Sequence, residues 1–578
     1  MYLGFFSCVV NFVYCIAFMS CTPKETNPQH NILLIITDDQ GYGDLAVHGN
    51  GLLETPHLDQ VEKESVVFDR FYVSPVCAPT RASILTGRYH IATGTTWVTH
   101  RMEVMREDEV TLAEMLKPSG YRTGLFGKWH QGKQYPHDPI GQGFDQFFGF
   151  SEGHLNNYFN ATMVEGFEEV STKGYLPDLL TEKTISFMDY QEPFFAMLSF
   201  NTPHSPFQVP DQYFDKYKAK GLNDKDASVY GMVENIDDNV GKVMAYLKQS
   251  GKLENTIVIF MTDNGPNGVR YNAQMKGIKG SLDEGGVRVP FFIRIPGYAP
   301  KKISSWAAHI DILPTLAALV NTPYPAGKEI HGRNLLPLIL ENSEWKDRYF
   351  FTHHVNRTFD TIPGAIRNQQ YLLTLRENQQ ELYDLQKDPI QKKNIVGSHP
   401  TLAAELQHRF RNWLLEMTRE GIEPPLIQVG HEKVPRVELP ASEAQKNGNV
   451  AFKGEMGWSN DWFVGFQNPD DQVFWELRSV GQGTYEVFVQ LSHNTPVTLK
   501  WSYNTQSNTV NLPGSQVAEL IPNNDRVPRS EVEELQWPLV SMGKISFKKG
   551  QGNFALGMSE ETAVNLQIKG VILRKITG

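Results

Sequence analysis

Cysteine is nearly absent from this chain. Its 578 residues hold four, Cys8, Cys15, Cys21 and Cys77. The first three fall in an apolar leader, so Cys77 stands alone in the body. A lone thiol has no intramolecular partner, which excludes a disulfide framework. A basic stripe is absent too: 54 Lys and Arg face 65 Asp and Glu, a formal net charge of -11. That gives no support for nucleic-acid binding. It leaves a small anionic substrate open, because a pocket's local field can oppose the global charge. After the leader no segment is long and apolar enough to span a bilayer. There is no tandem repeat and no long low-complexity tract. What is present is the composition of a soluble globular protein, 40% hydrophobic and 21% charged. This rules out wholesale disorder and, at this length, allows a large core and more than one folding unit.

The leader runs from Met1 to Ser20, meets Cys21, and gives way to a polar linker over 22–29. It reads as a signal segment over 1–21. Phe18-Met-Ser-Cys21 resembles the lipobox of bacterial lipoproteins, whose cysteine is lipidated after cleavage. The other reading is an uncleaved anchor. Both place the body outside the cytoplasm, at the periplasm or cell surface, or secreted.

Two segments share one local grammar. His30-Asn-Ile-Leu-Leu-Ile-Ile-Thr-Asp38-Asp39 is an apolar run ending in a carboxylate pair, and Thr256-Ile-Val-Ile-Phe-Met-Thr-Asp263-Asn264 repeats it. Runs of this kind fit strands buried on both faces of a parallel sheet. Polar residues at the C-terminal ends of such strands are where doubly wound α/β proteins build sites. Thr111-Leu-Ala-Glu114 has the form of a capping box. Val229, Met232, Val233, Ile236, Val240, Val243, Met244 and Leu247 trace one helix face. Alternating helices and buried strands predict one α/β domain with a doubly wound, mostly parallel sheet over 30–340. A smaller α+β unit is expected over 341–422, with an amphipathic helix marked by Leu402, Leu406, Phe410, Trp413, Leu414 and Met417. Glu423-Pro-Pro425 opens an expected linker over 423–447. Alternating segments such as Tyr485–Leu491 and Val497–Trp501 then predict a β-sandwich over 448–578. Trp458, Trp462, Phe463 and Phe466 fit its core or a strand edge better than a sugar-stacking role.

Adjacent aspartates inside a fold repel unless a cation neutralises them. Asp38, Asp39, Asp263 and Asn264 offer only oxygen, which favours Ca²⁺ or Mg²⁺ over zinc. A single such pair fits a polar turn equally well; two in matching positions favour a metal. Pro79 suits the first position of a helix, which sets Cys77 at a helix N-terminus, where free N–H groups and the dipole favour an anion. Arg81 follows on the same side. The alternative is a buried structural thiol.

Cys77-Ala-Pro-Thr-Arg81 followed by Ser83-Ile-Leu-Thr-Gly-Arg88 resembles the maturation signature of the sulfatase family, Cys-x-Pro-x-Arg, with Thr80 where Ser is commoner. Gly120–His130, Asn201-Thr-Pro-His204, Lys279–Arg288 and Glu381–Pro389 match further family segments in order, over 30 to about 420. The resemblance implies an alkaline phosphatase-like fold and hydrolysis of sulfate esters. It implies that Cys77 is oxidised to Cα-formylglycine by a formylglycine-generating enzyme. By the same resemblance Asp38, Asp39, Asp263, Asn264 and the matured residue 77 hold Ca²⁺ or Mg²⁺. Residue 77 supplies the nucleophile with Arg81 beside it, Lys128 and Lys279 bind sulfate oxygens, His204 protonates the leaving alcohol, and His130 removes a proton at residue 77. Lys128 and His130, two apart, point the same way on an extended strand. Candidates for gripping the leaving group lie in loops after the motifs: His100, Arg101, His154, Asn156, Asn157, Arg270 and His354. An exported sulfatase with an added β-domain suggests a sulfated polysaccharide or oligosaccharide substrate. The competing readings are a phosphonate monoester hydrolase or phosphodiesterase of the same superfold, and an inactive surface glycan-binding protein.

Overall fold

The computed structural model describes residues 29–576, apart from 191–192, 325–326, 341–344, 356–357 and 562–564. The leader and its Cys21 lie outside the described residues.

Five parallel strands carry the centre of the fold: β1 (Asn31–Thr37), β2 (Arg122–Lys128), β3 (Gln146–Phe150), β4 (Phe194–Ser199) and β5 (Thr256–Thr262). They lie in the order β5-β1-β4-β2-β3 inside a ten-stranded mixed sheet whose outer strands turn antiparallel. Both faces are covered, which is why β1 and β5 are apolar at every position between their polar end residues rather than at every second one. Ile32, Leu34 and Ile36 pack on one side with Ala82, Ile84, Leu85, Ile312 and Leu313. Leu33 and Ile35 pack on the other with Ile236, Val240, Val243 and Leu247. Those last four belong to the 26-residue helix Asp224–Gln249, whose first turn is capped by the Asn223 side chain accepting from the Asp226 N–H. The capping box at Thr111 forms as expected, with both reciprocal bonds in place.

The register places the site. Thr37 pairs with Thr262, so Asp38 and Asp263 leave neighbouring strand ends side by side. Ile36 and Gly127 both pair with Ser199, which brings Lys128 to the same edge.

A four-stranded antiparallel sheet, Phe350 to Asp384, packs with the helix Pro400–Met417. Their apolar residues share one core with Tyr72, Tyr89, Ile91 and Trp306 of the α/β domain. The sheet also braces the Lys279 segment: Glu381 binds Lys276 at 2.9 Å, and Arg376 binds Asp283 at 2.7 Å.

Beyond it lie two facing sheets with one apolar core. The stretch 423–447, expected to be a linker, is not one. It contributes Ile427–Val429 to one sheet and Arg436–Pro440 to the other. Edge strands are short and carry charge and proline, so their sequence resembles a loop. Among the described residues no helix is long and apolar enough to cross a membrane.

Candidate active site

The helix α1 (Cys77–Thr86) is buried along its whole length. It begins two residues earlier than expected, with Cys77 itself in the first turn and Pro79 third. Pro79 still removes only an N–H that has no partner within the helix. Its burial and start aim Cys77 at the strand ends, where Asp38, Cys77 and Asp263 bring ligand atoms within 4.8 Å of one another, as do Asp38, Asp39 and His204.

Positive groups thread between the carboxylates. Lys128 Nζ donates to Asp38 at 2.6 Å, and Lys279 Nζ contacts Asp39 at 2.7 Å. Arg81 donates through Nε and Nη2 to one oxygen of Asp263, at 3.0 and 2.8 Å. Its Nη1 reaches Ser199 Oγ at 2.6 Å and the Lys128 carbonyl at 3.1 Å. Asn264 Nδ2 donates to Asp39 at 2.8 Å. All of these except Lys279 are almost wholly buried. Asp39 takes a left-handed backbone conformation, φ 67°, uncommon outside glycine but accessible to aspartate.

Burial raises the Asp38 carboxyl to about 6, against the pull of Lys128. Burial likewise raises Asp263 to about 6, with Asp38 adding to it and Arg81 opposing. Burial also acts upward on Asp39, but Lys279 and His204 outweigh it and hold that carboxyl below its ordinary value. Two of the oxygens, Asp38 Oδ1 and Asn264 Oδ1, are buried without any hydrogen-bond partner. Orphaned oxygens among crowded carboxylates fit a hard divalent cation.

His130 does not lie on the strand. β2 ends at Lys128, and His130 turns out of it with φ 63°. Its Nε2 bonds the Val98 carbonyl at 2.8 Å. That partner is an acceptor, so Nε2 carries the hydrogen and Nδ1, buried and unpartnered, keeps its lone pair. His204 Nδ1 bonds the Ser205 carbonyl at 2.7 Å, turning Nε2 toward Asp39 at 3.6 Å. Burial lowers its affinity for a proton, and Asp39 partly restores it.

These groups open into a cavity of about 320 Å³. Cys77, His130, His204, Lys279, His154 and His354 line it. Five leaving-group candidates lie elsewhere. His100 bonds the carbonyls of Ser442 and Met456. Arg101 pairs with Glu443 at 2.8 Å and with the Pro425 carbonyl at 3.0 Å. Both face the sandwich, because their loop is the surface on which that domain docks. Arg270 is spent on Asp44 and the Asp39 carbonyl, and Asn157 closes a turn with the Phe159 N–H at 3.1 Å. Asn156 is buried with Oδ1 unpartnered and does not line the cavity.

Sequence reasoning missed Trp97, Ser530 and Glu531 in the cavity wall, and set Trp458 with the sandwich core. Trp462, Phe463 and Phe466 are core residues, but Trp458 lines the cavity. No motif marks these four positions, and three of them, Trp458, Ser530 and Glu531, come from a domain whose loops are placed only by docking.

A sheet of this order, with Asp38-Asp39 and Asp263-Asn264 on neighbouring strand ends and a helix N-terminus facing them, defines a hydrolase of the alkaline phosphatase-like fold. The sulfatase family profile matches residues 30–322, and that of the N-sulphoglucosamine sulphohydrolase C-terminal region matches 279–420. The chain belongs to the sulfatase family. It is 31% identical to an ulvan-active sulfatase of Formosa agariphila over 69% of this chain and 83% of that one. It is 26% identical to the uncharacterized sulfatase YdeN of Escherichia coli over 74% and 93%. The solved structure of Ps i-CgsB superposes with a TM-score of 0.63 at 29% identity, over 67% of this chain and 92% of that one; another is in complex with k-i-k-neocarrahexaose.

Proposed function

We propose that this sulfatase hydrolyses a sulfate ester on a sulfated polysaccharide or its oligosaccharides, with residue 77 acting after oxidation to Cα-formylglycine. The observation that carries the reading is one buried cluster, in which Cys77 lies with Asp38 and Asp263, Lys128 and Lys279 pair with Asp38 and Asp39, and Asn264 bonds Asp39, and which reaches the cavity through Cys77, His204 and Lys279. Asp38, Asp39, Asp263 and Asn264 would hold Ca²⁺ or Mg²⁺. When bound, the cation supplies positive charge that polarises the sulfate and lowers the cost of an anionic nucleophile. Matured residue 77 supplies that nucleophile, an oxygen in place of sulfur.

The chain's own side chains divide the remaining work. Lys128 and Lys279 hold sulfate oxygens, where negative charge grows in the transition state. Arg81 keeps Asp263 and the end of β2 in place. His204 Nε2 gives a proton to the leaving alcohol oxygen as its S–O bond breaks. An anionic ester beside it strengthens its hold on that proton until then. His130 Nδ1 takes a proton at residue 77 as inorganic sulfate leaves. Relatives named for ulvan and for N-acetylgalactosamine 6-sulfate support a sugar as the alcohol. The leader supports export, with Cys21 as the lipidation candidate and a formylglycine-generating enzyme as the maturation partner.

Peptide mass spectrometry across Cys77, on protein made in a host with the maturation enzyme, is expected to show formylglycine. That protein is expected to release sulfate from at least one of a panel of ulvan, carrageenan and glycosaminoglycan oligosaccharides, and to prefer aryl sulfate to aryl phosphonate. Cys77→Ala should remove activity with the melting temperature kept. Activity in that variant, or preference for the phosphonate, would overturn the reading.

A further inference from the structure

The cavity that holds Cys77 is not built by the α/β domain alone. Trp458, Ser459, Ser530 and Glu531, all from the β-sandwich, line it beside His154 and His204. Two loops bring them there. One is pinned to the strand-end loops by Ser459 Oγ accepting from the Gly153 N–H at 3.3 Å and Asn460 Nδ2 donating to the His154 carbonyl at 2.9 Å. The other is pinned just after His204, by Gln208 Nε2 donating to Asp525 at 2.7 Å and the Ser205 hydroxyl donating to Glu531.

The polar atoms at this wall are incompletely used. Ser205 takes Glu531 Oε1. Glu531 Oε2 and His154 Nε2 are buried with no partner. His154 in turn lies flat against His204, ring centroids 6.0 Å apart and planes 8° apart. Unpaired acceptor and imidazole nitrogen, contributed by opposite domains next to the group that protonates the leaving oxygen, match a hydroxyl or amide N–H carried by the leaving group. Trp458 and Trp97 give the same wall aromatic surface, the usual complement to the C–H face of a sugar ring.

We propose that the β-sandwich is part of the active site: Trp458 packs on the leaving sugar, and Glu531, with His154, binds a neutral hydroxyl or amide group next to the scissile ester. This rests on the sulfate-ester reading. A carboxylate at that place repels a second anionic group, so the favoured substrate carries no further sulfate or carboxylate beside the ester cleaved.

The test compares the panel oligosaccharide turned over fastest with 4-nitrocatechol sulfate, on formylglycine-bearing wild type, Glu531→Gln, Trp458→Ala and Trp458→Phe, each checked for an unchanged melting temperature. In Glu531→Gln and Trp458→Ala, kcat/KM for the oligosaccharide is expected to fall by about tenfold relative to the aryl sulfate. Trp458→Phe should recover most of that ratio, and Glu531→Gln should narrow the discrimination against a sugar bearing a second, adjacent sulfate. An unmoved ratio, or equal losses on both substrates, overturns the inference and leaves the sulfatase reading standing. Formylglycine-bearing wild type that cleaves neither substrate overturns both.

Discussion

At the scale of single residues, the proposed proton acceptor is held by a space rather than by a strand. His130 bends back with positive φ and lies over Gly153. A Cβ at Gly153 would meet His130 Nε2 at 2.7 Å and Cε1 at 2.8 Å, closer than packed atoms tolerate. Gly153 is not among the positive-φ glycines, so the substitution meets no left-handed backbone strain. Gly153→Ala is therefore expected to push the imidazole off the Val98 carbonyl. A displacement of the order of an ångström in a reacting group costs roughly a hundredfold in rate. Steady-state kinetics should show kcat falling by about that much with KM changed little, because Lys128 and Lys279, the proposed sulfate contacts, are untouched. A loss confined to KM would place His130 in binding instead.

At the scale of elements, the site is the end of two strands brought into register, and this was the part most legible from the chain. Asn31–Thr37 and Thr256–Thr262 announce themselves as apolar runs followed by Asp38-Asp39 and Asp263-Asn264, and parallel pairing does the rest. The turn at His130 was not legible, since its conformation depends on Gly153 from a distant loop. Nor was the strand character of 427–440, because edge strands need only half the usual pattern. The crowding of acids at the strand ends has a consequence for stability. In the metal-free protein, Asp38 and Asp263 titrate near 6, above their value in an unfolded chain of about 3.9. The folded state thus holds their protons more tightly, a stabilisation present below about pH 4 and lost as pH rises through 6. On the proposed reading a divalent cation would bind the ionised carboxylates and reverse that loss. Calcium at about a hundred times its Kd contributes about 2.7 kcal/mol, and less at low pH, where protons compete. Melting curves with calcium and with chelator are expected to diverge by a few degrees at pH 8 and to close up toward pH 4.5. Equal divergence at both pH values would separate the cation from these carboxylates.

At the scale of the whole molecule, the sandwich is held against the α/β domain by buried polar contacts, and these were unforeseeable from either sequence alone. His100 and Arg101 looked like site residues because they follow a motif; they serve instead as the docking face. Arg101 is enclosed by Glu443, Gln134 and the Pro425 carbonyl, with its side chain 9% and that of Glu443 5% exposed. A pair so deeply enclosed contributes little net stability while intact, yet removing one partner strands the other charge. Arg101→Met is therefore expected to destabilise the native state by about 3–5 kcal/mol, read as a lowered melting temperature. The double variant Arg101→Met, Glu443→Leu should recover much of that loss, since Glu443 is no longer a charge left unpaired and its repulsion of the neighbouring Glu103 goes with it. The kinetic expectation differs from the thermodynamic one. If the sandwich completes the pocket, the single variant loosens the wall that carries Trp458, and oligosaccharide turnover falls more than aryl sulfate turnover at temperatures where the chain is still folded. The double variant should restore the ratio along with the stability. Recovery of stability without recovery of the ratio would show that the domain can be held in place without its loops being aimed at the sugar.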